Sequence, residues 1–154
     1  MVAGRQRLAV LAAALWWGGL TALGFIAVPL LFASLPTPAL AGQAAAKLFT
    51  ASSWLAIGCG VFLLLASREK GEAPRLDAAG GSLAFVLGGM LLALLLEFAV
   101  GPRIVARENL RVWHSVGSAM YVGQWVCALV VLLRVAAGSA RSPSPDDRSG
   151  AMFR

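Results

Sequence analysis

The sequence has little charge and few of the residues that build active sites. Charged residues make up 13% of the chain, against about 25% in an average soluble protein. It contains one histidine and two cysteines, and it has no Gly-rich phosphate loop, HExxH motif, nucleophilic serine elbow or acidic metal cluster. We therefore predict no enzyme activity, no metal site and no cofactor.

The cysteines and the basic residues also exclude some classes of protein. Cys59 and Cys127 lie in apolar runs without a CxxC or Cys/His metal spacing, which favours two small buried hydrophobic residues over a functional pair. The net charge of +6 would suggest nucleic acid in a soluble protein. Here the basic residues lie almost entirely outside the apolar runs, and no basic patch alternates with stacking aromatics, so nucleic acid is not a predicted partner.

Long apolar runs dominate the chain. Hydrophobic residues make up 59% of it, and the mean hydropathy is +0.79. Backbone groups in lipid must be paired within the chain, and these runs are too continuous for barrel strands, so they predict helices. The predicted fold is an all-α integral membrane protein, a four-helix transmembrane bundle (domain 1–137) with a disordered cytoplasmic tail at 138–154. The predicted spans are about 8–34, 48–67, 78–100 and 112–135.

The segments between the spans refine this prediction. The run 8–34 is too long for a signal peptide, so we predict an uncleaved helix although Ala39-Leu40-Ala41 resembles a cleavage site. Leu35-Pro36-Thr37-Pro38 breaks the chain, and 39–47 is predicted as an interfacial helix. Gly101-Pro102 is predicted to interrupt the third span.

The distribution of Lys and Arg predicts the orientation, because cytoplasmic flanks carry the excess of these residues. Four basic residues fall on the side of the bundle opposite the termini: Lys47, Arg103, Arg107 and Arg111. Nine fall on the other side: Arg5, Arg7, Arg68, Lys70, Arg75, Arg134, Arg141, Arg148 and Arg154. We therefore predict a multi-pass protein of the cell inner membrane with both termini cytoplasmic.

The two halves of the chain have similar features, as expected of two similar helical hairpins. The first helix of each half carries a glycine pair, Gly18-Gly19 or Gly88-Gly89, and a proline near its outer end, Pro29 or Pro102. This pattern suggests a parallel internal repeat.

Glu97 is the principal candidate site residue, because an ionisable group within a span is costly and normally faces the bundle and a partner. The predicted partners are Arg103, Lys47 or His114. A structural ion pair or a protonated acid is one interpretation, and a proton- or cation-binding site is the other.

Further polar residues are predicted to meet Glu97 in the outer half of the bundle. His114, Ser118, Tyr121 and Gln124–Trp125 fall on one stripe of the fourth helix. This stripe either lines a shared pocket or only joins helices by hydrogen bonds. Helical continuation past Pro102 would place Arg103, Arg107 and Arg111 on one face, which either clamps an anion or lipid headgroup or anchors the helix at the interface. The candidate ligand-binding residues are Pro29, Lys47, Glu97, Arg103, His114, Ser118 and Gln124.

Several short motifs are similar to those of the transmembrane protein 205-like family, whose bacterial members are uncharacterised. The family resemblance covers about residues 16–133 and implies a four-helix membrane domain without an established reaction. The motifs that carry it are Leu31-Phe32-Ala33-Ser34-Leu35-Pro36, Lys47-Leu48-Phe49, Gly101-Pro102-Arg103 and Trp113-His114-Ser115. Some members have an Asn-like residue late in the third helix, where this chain has Glu97.

Two kinds of function remain open. The first is a small binding or transport module, or an accessory module, with an outer-facing polar pocket. Its partners would be membrane lipids and a homo-oligomer or a membrane partner protein. The alternative is a membrane redox component that uses His114 to bind haem or a quinone, although one histidine in a monomer cannot form a bis-histidine haem site.

Overall fold

The computed structural model describes residues 2–67 and 80–140, and every regular element within them is helical. Four of these helices are long and apolar enough to cross a membrane. The predicted all-α bundle of four transmembrane helices is therefore confirmed. Residues 68–79, with Arg68, Lys70 and Arg75, and residues 141–154, with most of the predicted tail, lie outside the described residues.

The first rod, α1, consists of three helical segments that follow one another without a break. They are an α-helix Val2–Ala22, a π-helical turn Leu23–Ala27 and a short α-helix Val28–Ser34. The rod ends at Ser34, and residues 35–37 form a bend. Its apolar part, Gly4–Ser34, has 31 residues and is about 46 Å long, enough to cross a bilayer with tilt.

The second helix, α2, is one continuous element, Pro38–Ser67. The prediction of a separate interfacial helix at 39–47 is wrong, because these residues form the first turns of α2. Pro38 opens the helix, a position that suits proline because the first N–H groups of a helix have no partner within it.

The third rod, α3, is also built from an α-helix, a π-helical turn and a second α-helix: Gly80–Leu95, Leu96–Val100 and Gly101–Val105. The predicted interruption at Gly101-Pro102 is therefore wrong. Residues 106–109 form a turn, after which the fourth helix, α4, runs over Leu110–Ala140. That helix continues three residues beyond the predicted end of the membrane domain at 137.

The four rods pack in a ring in which each contacts its neighbours in the chain and α4 contacts α1. Every rod contributes one fully buried alanine to the central core cluster: Ala13, Ala56, Ala93 and Ala128. Small residues allow helix backbones to approach closely, which is how membrane bundles gain packing energy in place of a hydrophobic driving force. Trp16 and Leu20 of α1 fill the remaining space, each 1% exposed.

The π-helical turns strengthen the resemblance between the two halves. Each lies in the same register before a proline, in Leu23-Gly24-Phe25 before Pro29 and in Leu96-Glu97-Phe98 before Pro102. A proline ring collides with the carbonyl four residues earlier in an α-helix, and a wider turn relieves that contact. The two phenylalanines also match in exposure, at 63% and 65%. The bend at 35–37 and the turn at 106–109 lie together at one end of the bundle, which we call the proline end.

Candidate functional site

Glu97 lies in the π-helical turn of α3, at the contact between α3 and α2. Its side chain is half-buried, and its Oε1 accepts a hydrogen bond of 3.0 Å from the hydroxyl of Thr50 on α2. Within the described residues, this neutral hydroxyl takes the place of the predicted cationic partners.

The cations of the proline end make other contacts. The guanidinium of Arg103 donates to the backbone oxygen of Ala99 over 2.8 Å and lies 4.4 Å from the centre of the Trp113 ring. Lys47 and His114 are exposed. The structure therefore directs Arg103 toward α4, whereas Glu97 is directed toward α2.

The predicted arginine face is not formed, because the helix does not continue beyond Val105. Arg107 has a φ of 58° and Asn109 a φ of 38°, in the left-handed region that most side chains avoid. Arg103, Arg107 and Arg111 thus belong to a helix end, a turn and the start of α4, respectively.

The other candidates are spread over different surroundings. Pro29 and Ser118 are exposed. Gln124 is 2% exposed, and its Nε2 has no hydrogen-bond partner among the described residues. The proposed haem or quinone role of His114 stays a prediction, on a histidine that the structure places at the surface.

Sequence reasoning did not single out the contacts that Tyr121 makes in joining three helices. Its hydroxyl donates to the backbone oxygen of Leu20 over 2.7 Å, and its ring packs edge-on against Phe49 at 5.3 Å. A Cβ on Gly24 would lie 2.7 Å from the Tyr121 ring, so the absence of a side chain there makes room for the tyrosine. Tyr121 lies on the polar stripe predicted for the fourth helix and is the single tyrosine of the chain, but neither signal identifies Leu20 and Phe49 as its partners.

A second polar contact joins α1 and α4 one turn further into the bundle. The indole N–H of Trp125 donates to the Thr21 hydroxyl over 2.9 Å, and that hydroxyl donates to the Trp17 backbone oxygen over 2.8 Å. The centroids of the Trp17 and Trp125 rings are 5.8 Å apart. Both tryptophans therefore take part in the contact between α1 and α4.

Comparison with known proteins identifies a family. The sequence profile of the domain of unknown function DUF4149 matches residues 11–112. The chain belongs to the DUF4149 family. No curated protein and no solved structure matches the chain.

The DUF4149 match begins within the first predicted span and covers the second and third. It includes Thr50, Glu97 and Arg103, whereas His114, Tyr121 and Gln124 lie beyond it. It supports the prediction of an uncharacterised membrane-family domain. The finer resemblance to the transmembrane protein 205-like family stays a prediction.

Gln124→Met is expected to raise the free energy of unfolding of this DUF4149 protein by about 1 kcal/mol. A buried amide without a partner carries a desolvation cost that an apolar side chain of similar shape removes. The measurement is unfolding by SDS titration in mixed lipid micelles. Gln6→Met is the matched control, because the half-buried Gln6 donates to the Val135 backbone oxygen at 3.4 Å. The control is expected to be neutral or destabilising, and a Gln124→Met variant less stable than the wild type would contradict the prediction.

Proposed function

We propose that this protein is a small binding module of the cell inner membrane that takes up a positive charge, a proton or a small monovalent cation, at Glu97. The proline end faces the outside of the cell in this proposal, and both termini are cytoplasmic. The positive-inside distribution of Lys and Arg supports that orientation.

The observation that carries the proposal is the neutral partner of Glu97. A charged carboxylate within a span is expensive unless its charge is compensated. Its hydrogen-bond partner is the Thr50 hydroxyl, and Arg103 is held by Ala99 and Trp113 instead. In this proposal, a proton on the carboxyl group or a bound cation compensates the charge.

The position of Glu97 supports exchange with the aqueous side. It lies eight residues before Val105, the last helical residue of α3, which corresponds to about 12 Å along the helix. It belongs to a π-helical turn, an element found frequently at functional sites. The centre of the bundle is filled by Trp16 and Leu20, so passage across the membrane would require a homo-oligomer or a partner protein.

The test is chemical labelling with dicyclohexylcarbodiimide, an apolar reagent that reacts with protonated carboxylic acids. We expect the protein in lipid nanodiscs to be modified at Glu97, with the adduct located by peptide mass spectrometry. The labelling rate is compared across pH and across added cations. Protection by sodium, potassium or ammonium ions at constant pH would identify a cation, whereas dependence on pH alone would identify a proton.

The chain provides its own controls. Glu108 is exposed in the turn 106–109 and should be labelled much more slowly than Glu97. Thr50→Val removes the hydrogen bond and is expected to change the labelling rate, whereas Thr50→Ser retains the bond and the rate. If Glu97 is labelled no faster than Glu108, or if its labelling depends on neither pH nor cations, the carboxyl serves only as a structural hydrogen-bond acceptor. That result would favour an accessory role.

A further inference from the structure

A depression at the proline end, on the outer surface of α3, combines an apolar wall with two opposite charges. It lies at the end of the third span, where lipid headgroups meet acyl chains. Its lining residues are Phe98, Ala99, Pro102, Arg103, Ala106 and Glu108. Glu97 is not among them, so the depression is separate from the proposed proton or cation site.

Arg103 is held in a fixed position at this depression. One of its N–H groups donates to the Ala99 backbone oxygen, and one face of the guanidinium lies against the Trp113 ring. A guanidinium has five N–H donors in a planar fork, so donors remain for a phosphate. A fixed fork loses less side-chain entropy on binding than a free arginine.

Glu108 lines the same depression from the turn 106–109. Its backbone N–H donates to the Arg103 backbone oxygen over 3.0 Å, which ties the turn to the end of α3. The residues on either side of it, Arg107 and Asn109, have positive φ angles. This backbone conformation ends the helix, and Glu108 lies in the turn that lines the depression.

The two charges face the same depression without neutralising each other. Neither Arg103 nor Glu108 forms an ion pair with the residues that the structure describes. A ligand that carries a phosphate and an ammonium group would satisfy both, while Phe98 and Pro102 offer an apolar surface to an acyl chain. A primary ammonium can donate hydrogen bonds to a carboxylate, and a quaternary ammonium cannot.

We propose that this depression is a binding site for a phospholipid with a phosphoethanolamine headgroup. The phosphate accepts hydrogen bonds from Arg103, the ammonium donates to Glu108, and an acyl chain lies along Phe98 and Pro102. Charge-assisted hydrogen bonds of this kind are the strong ones in protein recognition.

The test is lipid retention measured by native mass spectrometry. The full-length protein is reconstituted with equal amounts of phosphatidylethanolamine, phosphatidylcholine and phosphatidylglycerol of the same acyl chains, and bound lipid is counted after detergent stripping. We expect preferential retention of phosphatidylethanolamine, reduced roughly tenfold in Arg103→Gln, the loss of about one charge-assisted bond. Glu108→Gln is expected to abolish the preference over phosphatidylglycerol while leaving phosphatidylglycerol retention intact.

Arg111→Gln is the matched control, since Arg111 is an exposed arginine of the same region that does not line the depression. Arg103→Lys keeps the charge but not the planar fork. Lipid retention between that of the wild type and that of Arg103→Gln would show that the loss reflects lipid binding rather than misfolding. Equal retention of the three lipids by the wild type, preference for phosphatidylglycerol, or equal losses in Arg103→Gln and Arg111→Gln would each overturn the proposal.

Discussion

Trp16→Ala is expected to lower the free energy of unfolding by about 3 kcal/mol, the lower end of the range for buried aromatic residues. The lower end applies because lipid tails already solvate apolar side chains, so only packing contacts are lost. Trp16 is 1% exposed, and its ring reaches across the centre of the bundle to the backbone of Gly89 on α3. A Cβ on Gly89 would lie 2.7 Å from two carbons of that ring. SDS titration in mixed lipid micelles measures the loss.

The same contact predicts coupling between the two positions. Gly89→Ala alone is expected to cost about 1–3 kcal/mol through overpacking. Trp16→Phe removes the colliding ring carbons. The double variant with Trp16→Phe and Gly89→Ala should therefore be about 1 kcal/mol more stable than the sum of the two single effects predicts. Gly88→Ala is the control, because a Cβ there would meet only the Cys127 sulfur at 3.9 Å. Additive behaviour, or equal costs at Gly88 and Gly89, would contradict the contact.

Gly24→Ala is expected to destabilise the bundle by about 2 kcal/mol, because the added methyl group displaces the Tyr121 ring. The ring cannot move freely, since its hydroxyl is bonded to the Leu20 backbone oxygen and its edge packs against Phe49. Tyr121→Phe, which keeps the ring and loses only the hydrogen bond, is expected to cost about 0.6 kcal/mol. Both losses are measured in the same titration.

Gly18→Ala in the same rod provides the comparison, because nothing lies within 4 Å of a Cβ at that position. Alanine is the better helix former by about 1 kcal/mol, so this variant should be as stable as the wild type or more so. Equal stabilities of the two alanine variants would show that Tyr121 does not occupy the space beside Gly24.

The number and approximate position of the helices could be predicted from the sequence, since apolar run length alone sets them. The predictions of helix bounds were wrong at residues whose sequence is compatible with two different structures. Pro102 usually ends a helix, but a π-helical turn before it lets α3 continue to Val105. Residues 39–47 are less apolar than a span, yet they continue directly into α2.

The candidate site was predictable only in part. The rule that an acid inside a span needs a partner identified Glu97, but its partner depends on the rotation of α3 against α2. That rotation is changed by the π-helical turn, which no simple hydrophobic period reveals. Thr50 could not be chosen from spacing alone for the same reason. Gln124 shows that a residue on the expected stripe can be buried while its Nε2 has no hydrogen-bond partner among the described residues.

The paired π-helical turns also have an evolutionary meaning. Such a turn is geometrically an α-helix with one inserted residue, which rotates everything beyond it by about 100°. Both halves carry the inserted residue at the same distance before their proline. If the halves descend from one duplicated hairpin, the insertion preceded the duplication, and the matched position diverged afterwards to glycine at 24 in one copy and glutamate at 97 in the other. Relatives in which one of these segments is a residue shorter would then record a later loss.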